Sequence, residues 1–264
     1  MEIKGSVALI TGGGSGIGEV CAKELVRCGA KAAICDVSQE SIDRVVKEIR
    51  NLGGEAIGVK GDVTSETDQV KFIEKTIEAF GRLNILIPCA GIIRDSTVVT
   101  TDKETGKVVK KMSLDDWQSV IDINLTGTFL SVRDTIEAMV NGGWEGIIFI
   151  ISSINKVGQI GQLNYSSTKV ADALMPKILV GEFMLRKIRN IRVVGIAPGY
   201  VGTPILKAMD QKVLETILKD VHLGRLVEPE EVARLMIHCI ENDAINATTY
   251  EITGGVCYNK STAK

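Results

Sequence analysis

The amino-acid sequence predicts an α/β fold of the doubly wound type, in which a mostly parallel sheet of about seven strands carries helices on both faces. Short apolar runs alternate with longer amphipathic segments, an order typical of strands separated by crossover helices. The runs are apolar throughout instead of alternating with polar residues, which indicates strands covered on both faces. A glycine-rich turn joins the first run to the first amphipathic segment, as expected where a buried strand passes into a helix.

The strands and helices follow from this periodicity in chain order. Buried strands are predicted over 6–11, 31–36, 55–60, 85–88, 146–151, 191–197 and 249–252. Helices are predicted over 17–28, 39–52, 66–80, 114–140, 163–187 and 228–241. Ser38, Thr64 and Ser113 stand before three of these helices, where such side chains favour a helix start. Pro176 falls inside the fifth helix, and because proline removes an N–H we expect a kink near Asp172.

Length and composition are those of a globular protein with a sizeable core. The chain has 264 residues, of which 45% are hydrophobic and 24% charged. No linker rich in Pro, Gly or Ser divides it, so one domain spanning 1–264 is the simplest partition. The net charge of −2 gives no electrostatic reason to expect nucleic acid or an anionic membrane as a partner. Neither a signal peptide nor an apolar run of roughly 20 residues is evident.

The cysteines are scattered, mostly within apolar patterns. They stand at Cys21, Cys28, Cys35, Cys89, Cys239 and Cys257. None forms a C-x-x-C pair, and His222 and His238 are the two histidines of the sequence, so no metal site is expected. We interpret the cysteines as buried thiols of a protein that resides in a reducing cytoplasm.

One stretch breaks the alternation of strands and helices. Between the fourth strand and Ser113, two β-prone arms in 97–110 flank a polar turn that contains Gly106. This pattern predicts a small exposed hairpin inserted into the fold. A disordered loop is the alternative for the same residues.

The glycine run after the first strand indicates a dinucleotide site. The strand stops at Thr11, and glycines up to Gly18 let the backbone turn sharply and let a pyrophosphate approach the amide groups. The N-terminus of the following helix offers unpaired N–H donors and a positive dipole end. Asp36 lies 18 residues after Gly18, at the end of the second strand, where an acid is the expected partner of the adenosine ribose hydroxyls. The alternative is an ordinary flexible loop and a surface acid.

A second group of residues suits acid–base chemistry. Tyr165 and Lys169 are four residues apart on a predicted helix and therefore share one face. A neighbouring ammonium favours the phenolate form of a phenol, and such a pair suits work on an alcohol or a ketone, although similar pairs are common on solvated helices. Ser152 and Ser153 end the preceding strand at the edge where ligands bind. Asn124 is an amide inside an apolar helix, where it must find hydrogen-bond partners.

In this order, the motifs resemble those of the short-chain dehydrogenase/reductase family, in the subgroup that includes bacterial 3-oxoacyl-thioester reductases. The resemblance covers nearly the whole chain and implies a Rossmann-type sheet. The matching motifs are the cofactor turn Thr11-Gly12-x-x-x-Gly16-x-Gly18, the adenine contact Asp62-Val63, the fourth-strand motif Ala90-Gly91, and the nicotinamide loop Pro198-Gly199 with Thr203. Pro88 and Cys89 depart from the pattern, since the family usually has two asparagines there.

The resemblance also implies roles for individual residues. Tyr165 would be the acid–base, Lys169 would hold the nicotinamide ribose, and Asn124 would position a water that connects Lys169 to solvent. The usual spacing of the family selects Ser152 as the serine that polarises the substrate oxygen, whereas strand register selects Ser153, which we favour. The dinucleotide-binding residues implied are Gly12, Ser15, Gly16, Ile17, Gly18, Asp36, Asp62, Val63, Ala90, Gly91, Tyr165, Lys169, Pro198, Gly199, Val201 and Thr203.

These motifs predict an NAD-dependent oxidoreductase that interconverts a secondary alcohol and a ketone by hydride transfer. A 3-oxoacyl-thioester reductase acting on acyl carrier protein or CoA is the alternative enzyme, and a non-catalytic dinucleotide-binding sensor or scaffold is the alternative outside enzymes. NAD is favoured over NADP because Asp36 would repel a 2′-phosphate, and Ser15 and Val37 occupy places where NADP-preferring relatives carry a cation. The resemblance further implies a homotetramer that acts on a small molecule.

Overall fold

The computed structural model describes residues 1–256, except for the side chain of Ile205. Its strands in chain order are Val7–Thr11 (β1), Lys31–Asp36 (β2), Ala56–Lys60 (β3), Ile85–Pro88 (β4), Val99–Thr101 (β5), Val108–Lys111 (β6), Gly146–Ile151 (β7), Ile191–Pro198 (β8) and Thr248–Ile252 (β9). All except β5 and β6 form one parallel sheet of seven strands in the order β3-β2-β1-β4-β7-β8-β9. The doubly wound fold predicted from the sequence is therefore confirmed.

Helices flank this sheet. They are Gly16–Arg27 (α1), Gln39–Asn51 (α2), Glu66–Phe80 (α3), Leu114–Ile121 (α4), Gly127–Gly142 (α5), Leu163–Arg186 (α6), Pro204–Lys207 (α7), Gln211–Leu218 (α8) and Pro229–Glu241 (α9). The helix predicted over 114–140 is continuous in the structure, but a π-helical turn, Asp122–Thr126, divides it into α4 and α5. The helices α7 and α8 and the 3₁₀ helix Ile154–Val157 are not predicted by the periodicity of the sequence.

The core lies in two layers, one on each face of the sheet. Ile10 of β1 belongs to the same buried cluster as Leu25 of α1 and Met236 of α9. The adjacent Leu9 belongs to the opposite cluster, with Phe72 of α3. Successive side chains of a strand point to opposite faces, so this central strand contributes to both layers. Burying each such side chain stabilises the fold by roughly 1.5–3 kcal/mol.

The parallel strands bring their carboxyl ends to one edge of the sheet. Thr11 at the end of β1 lies in register with Cys35 of β2 and with Pro88 of β4. The strand order changes direction between β1 and β4, since β2 follows β1 on one side and β4 lies on the other. A crevice at such a reversal is where ligands bind in sheets of this type.

A hairpin occupies the segment between β4 and α4. Its strands β5 and β6 are antiparallel and exposed along their whole length. The turn is stabilised by Asp102, whose N–H donates to the carbonyl of Lys107 at 2.9 Å. The Oδ1 atom of Asp102 also accepts from the N–H of Thr105 at 2.7 Å. The hairpin therefore lies on the surface, outside the seven-stranded sheet.

Two of the three predicted N-terminal caps form as expected. The cap of α3 is the residue after the predicted one. The hydroxyls of Ser38 and Ser113 accept from backbone N–H groups at the starts of α2 and α4. Ser65, and not Thr64, caps α3, with 3.2 Å between its Oγ and the N–H of Asp68. Thr64 is engaged elsewhere, because its hydroxyl donates to Asp62 at 2.8 Å.

The burial of the cysteines differs in part from the expectation. Cys21, Cys35 and Cys239 are buried, but Cys28 is exposed because it follows the last residue of α1, where the chain leaves the core. Cys257 lies outside the described residues. None of the helices in residues 1–256 combines the length and the hydropathy needed to cross a membrane.

Candidate active site

A cleft of about 470 Å³ opens at the carboxyl edge of the sheet, between the ends of β1 and β4. It brings together most residues that the sequence assigns to dinucleotide binding. Those that line it are Gly12, Ser15, Gly16, Ile17, Gly18, Asp36, Asp62, Val63, Ala90, Gly91 and Thr203. The loops after β1, β2, β3, β4 and β8 meet here because parallel strands end on the same side.

The glycine turn lies against the end of β4 more closely than side chains would allow. A Cβ atom on Gly12 would stand 2.6 Å from the backbone nitrogen of Ala90, and one on Gly18 would stand 2.5 Å from the carbonyl oxygen of Gly12. Gly12 also has a φ of +62°, which favours glycine. The first-turn N–H groups of α1 have no intrahelical acceptor, so a pyrophosphate fits at this helix start.

Asp36 ends β2 at the rim of the cleft and keeps hydrogen-bonding capacity for a ligand. Its Oδ2 accepts from the N–H of Gly14 at 3.0 Å, and its Oδ1 accepts from the N–H of Ser38 at 3.1 Å. These bonds hold the carboxylate in one orientation. Each carboxylate oxygen has a second lone pair, so both remain able to accept from ribose hydroxyls.

A cation lies behind the glycine turn. Arg44 of α2 donates from Nη2 to the carbonyl of Gly14 at 2.8 Å. The same guanidinium pairs with Glu19 of α1, with 2.6 Å between Nη2 and Oε2, and with Glu48 at 3.3 Å. The sequence positions at which a cation would indicate NADP are held by Ser15 and Val37, whereas Arg44 lies in the second turn of a neighbouring helix.

Asn124 lies in the π-helical turn and uses its amide to hold the chain beyond β4. Its Oδ1 accepts from the N–H of Ile92 at 2.8 Å, and its Nδ2 donates to the carbonyl of Ile92 at 2.9 Å. The carbonyl of Asn124 accepts from the hydroxyl of Thr128 at 2.8 Å. The side chain thus fixes one wall of the cleft, and the water-positioning role implied for this residue stays a prediction.

Cys89 replaces the second asparagine expected before Ala90 and Gly91. Its N–H donates to the carbonyl of Thr11 at 2.9 Å, so a backbone bond ties the end of β4 to β1. Burial raises the pKa of the Cys89 thiol to about 12, and the side chain is therefore a neutral group in the cleft wall.

The two serines that end β7 have different partners. The hydroxyl of Ser152 is buried and donates to the carbonyl of Lys169 at 2.6 Å. The Oγ of Ser153 instead accepts from the N–H of Asn155 at 3.1 Å, at the start of the 3₁₀ helix. A hydroxyl that accepts in this way still has its hydrogen to donate. Ser152 is thus engaged within the protein, whereas Ser153 retains a donor.

Tyr165 and Lys169 lie on one face of α6, and the Lys169 Nζ atom is 5.7 Å from the centre of the Tyr165 ring. That Nζ donates to the carbonyl of Ile151 at 2.7 Å and to the Oδ2 of Asp172 at 2.8 Å. Burial opposes the charge on Lys169, but Asp172 and Tyr165 outweigh it, and the pKa of Lys169 lies above its usual value.

Asp172 is a residue that sequence reasoning missed as part of this group. In the sequence it marks only the position of an expected kink. α6 runs from Leu163 to Arg186 with Pro176 inside it, and the kink stays a prediction. The signal was available, since Asp172 follows Lys169 by three residues and so returns to the same helix face.

Other implied residues lie outside the wall of the cleft. The Val201 side chain is 6% exposed and packs in the core, so only its backbone is available to a ligand. Gly199, after Pro198 at the end of β8, donates from its N–H to the carbonyl of Ile252 at 2.9 Å. The lining residues that the sequence did not assign to binding are Val37, Gly61, Cys89, Ile92, Ile123, Ile151 and Pro204. Several of these end or follow strands, which is a signal that the sequence contained.

The chain is similar in sequence to known proteins. The sequence model of the family described as short chain dehydrogenase matches residues 6–214. The 3-oxoacyl-[acyl-carrier-protein] reductase of Thermotoga maritima is 33% identical over 255 residues, which cover 96% of this chain and 97% of the relative. The (3R)-3-hydroxyacyl-CoA dehydrogenase of Homo sapiens is 31% identical over 266 residues, which cover 97% of each chain.

Proposed function

The chain belongs to the short-chain dehydrogenase family and is an oxidoreductase, and from this premise we propose that it interconverts a secondary alcohol and a ketone with NAD as the hydride carrier. The observation that carries the proposal is the Tyr165–Lys169 pair on α6, close to the end of β7 and to the glycine-turn cleft. A protein that only sensed or displayed a dinucleotide would have no use for a half-buried tyrosine beside a buried lysine, which disfavours the non-catalytic alternative.

The residues of the cleft suit a nicotinamide dinucleotide. The amides of the glycine turn and of the first turn of α1 would hold the pyrophosphate, and Asp36 would accept from the adenosine ribose hydroxyls. Thr203 stands across the turn, with its Cγ2 3.6 Å from the position of a Cβ atom on Gly16, and would contact the nicotinamide end together with the backbone near Val201. When bound, the nicotinamide supplies or accepts the hydride.

The chain itself would handle the proton and the substrate oxygen. In reduction, the Tyr165 hydroxyl donates its proton to the ketone oxygen as the substrate carbon gains hydride, and in oxidation the phenolate takes that proton back. Ser153 donates a hydrogen bond to the same oxygen. Two N–H groups of Lys169 are used by Ile151 and Asp172, so the third remains for a ribose hydroxyl.

A 3-oxoacyl thioester is the second candidate substrate, and the names of the relatives favour it. The bacterial relative is named as a reductase of 3-oxoacyl groups on acyl carrier protein, and the human one as a dehydrogenase of 3-hydroxyacyl-CoA. Both names describe a secondary alcohol or ketone. Assays of hydroxyacyl thioesters, cyclic alcohols, aryl alcohols, steroids and sugars with NAD would identify the substrate class.

We also propose a homotetramer in the cytoplasm. Val170, Leu174 and Ile178 follow one another at intervals of one helical turn along α6, and they are 45%, 57% and 57% exposed. Such a stripe is typical of helices that pack against another subunit. Sedimentation equilibrium at micromolar concentration tests the assembly, and a monomer would contradict it. The scattered thiols suit a reducing compartment.

Replacing Tyr165 by Phe tests the acid–base assignment. The substitution keeps the ring and removes the oxygen that transfers the proton, so we expect turnover to fall about 10² to 10⁴-fold while NAD binding is retained. Steady-state kinetics and a binding titration measure the two effects. Tyr250→Phe, on β9, is the matched control and should leave both unchanged. Near-normal turnover of Tyr165→Phe would contradict the proposal.

The two serines give a second prediction. Ser153→Ala removes the hydroxyl that can donate to substrate, and we expect kcat to fall about 10²-fold or more, as for loss of a donor to a developing oxyanion. Ser152→Ala removes a bond to the carbonyl of Lys169, and we expect mainly a loss of stability of about 0.5–1.5 kcal/mol. Kinetics and thermal unfolding of both variants compare them. The reverse order of activities would assign catalysis to Ser152.

Cofactor choice gives a third prediction. Asp36 would repel a 2′-phosphate, and Arg44 is already paired with Glu19 and Glu48, so Arg44 is not free to hold that phosphate. We expect kcat/KM to favour NAD by at least about 100-fold, which corresponds to roughly 2.7 kcal/mol. Asp36→Ala should relax this preference mainly by weakening NAD, whereas Asp43→Ala, an exposed acid of α2, should not. Equal kcat/KM for both cofactors in the unmodified protein would refute the NAD assignment.

A further inference from the structure

Asp172 is a buried carboxylate without an evident structural reason to be one. Its side chain is fully buried, its Oδ2 is 2.8 Å from the Nζ of Lys169, and its Oδ1 has no hydrogen-bond partner. Its carbonyl also lacks the usual helical donor, because residue 176 is a proline and has no N–H. A half-satisfied carboxylate in the interior costs free energy, and an apolar residue at this position would avoid that cost.

The position of Asp172 connects it to the proposed acid–base pair. Tyr165, Lys169 and Asp172 are spaced by four and three residues on α6, so they form one stripe along the helix. Lys169 is the middle member and is 8% exposed at its side chain. Its ammonium is fixed between the carbonyl of Ile151 on β7 and the carboxylate of Asp172, which leaves one N–H.

We propose that Asp172 is a positioning residue that holds the Lys169 ammonium beside Tyr165 and keeps it protonated in alkaline solution. This inference rests on the proposed function, in which Tyr165 exchanges a proton with substrate and Lys169 supports its phenolate. Asp172 acts through Lys169 and does not itself touch substrate.

The groups that act on Lys169 are few. Besides Asp172 and Tyr165 on its own helix, Cys89 beyond β4 influences it, and burial keeps that thiol neutral because its pKa is about 12. Among the described residues that influence Lys169, Asp172 is thus the one that places a carboxylate against the ammonium, with 2.8 Å between its Oδ2 and the Nζ of Lys169. Burial raises the pKa of Asp172, while Lys169 acts in the opposite direction.

The charged groups on the elements packed against α6 have partners of their own or, like Asp115 of α4, are exposed. Asp116 of α4 accepts from the hydroxyl of Ser113 at 2.7 Å, and Asp122 of the π-helical turn accepts from Gln118 at 2.7 Å. Lys156 of the 3₁₀ helix pairs with Glu251 of β9. Arg192 of β8 donates to the carbonyl of Cys239 at 2.7 Å. None of these groups is therefore in place to substitute for Asp172.

The sign of the effect follows from burial. In the unmodified protein Asp172 and Tyr165 together outweigh desolvation, and the pKa of Lys169 is raised. In Asp172→Asn the desolvation remains but the negative charge is gone, so the pKa of Lys169 falls and the amine becomes neutral at alkaline pH. The Tyr165 phenolate needed for alcohol oxidation then loses its neighbouring cation.

The pH dependence of alcohol oxidation tests the proposal. For the unmodified protein, kcat/KM should reach a plateau and keep it up to about pH 10, because Lys169 stays protonated. For Asp172→Asn, we expect kcat/KM to pass through a maximum and then fall about tenfold on the alkaline side, one pKa unit being a tenfold change. Asp134→Asn is the matched control, because Asp134 is a buried carboxylate of α5 that pairs with Arg133 at 2.6 Å. Its profile should keep the plateau.

A second measurement needs neither substrate nor cofactor. Acetic anhydride acylates only neutral amines, and peptide mass spectrometry reports the labelling of Lys169 relative to Lys177, an exposed lysine on the same helix. At pH 9 this ratio should rise about tenfold in Asp172→Asn and stay unchanged in Asp134→Asn. Asp172→Ser, measured in the same way, replaces Asp172→Asn if that variant does not fold.

The outcomes separate this inference from the proposed function. An alkaline plateau together with an unchanged labelling ratio in the Asp172 variants would overturn the positioning role. Failure of the unmodified protein to oxidise any alcohol with NAD would instead refute the proposed function, and the labelling ratio would still decide whether Asp172 keeps Lys169 protonated.

Discussion

The close approach of the first glycine turn to the end of β4 is the constraint on which the rest of the site depends. Gly12 and Gly18 leave no room for a Cβ atom, with 2.6 Å to the nitrogen of Ala90 and 2.5 Å to the carbonyl of Gly12. This contact places the start of α1 over the crevice where the strand order reverses. Because the turn is held so tightly, the amides of α1, the carboxylate of Asp36 and the loop after β4 face one cleft.

The chain after β4 is held in place without the asparagine that the family usually has at position 89. Cys89 stands where an asparagine was expected, and a backbone bond to Thr11 joins the two strands without a side-chain amide. Asn124 supplies the amide from the other side by bonding both backbone groups of Ile92. Since the π-helical turn that carries Asn124 interrupts a predicted helix, the local departure from regular geometry coincides with the place where the helix contacts the cleft.

The buried charged side chains of α6 cost free energy, and the packing of the helix gives no reason for their presence. Lys169 and Asp172 bury opposite charges 2.8 Å apart, and one carboxylate oxygen remains without a partner. Buried pairs of this kind are weak contributors to stability, so their presence is more readily understood through what they do to a neighbouring group. Here that neighbour is Tyr165. Lys169 places a cation beside its ring, and the buried Asp172 holds that cation in position.

The sequence by itself determined the features that depend on local spacing. These are the alternation of strands and helices, the glycine turn, the acid that ends β2, and the shared face of Tyr165 and Lys169, since each follows from periodicity or from the conformational freedom of glycine. Tertiary structure alone decided which residues distant along the chain meet. Arg44 reaches Gly14, and Ser152 bonds Lys169 while Ser153 keeps a donor, because such contacts are set by how helices pack on the sheet and have no signature in local spacing. Local spacing places Asp172 on the helix face of Lys169, but its burial depends on the same packing of the helix against the sheet.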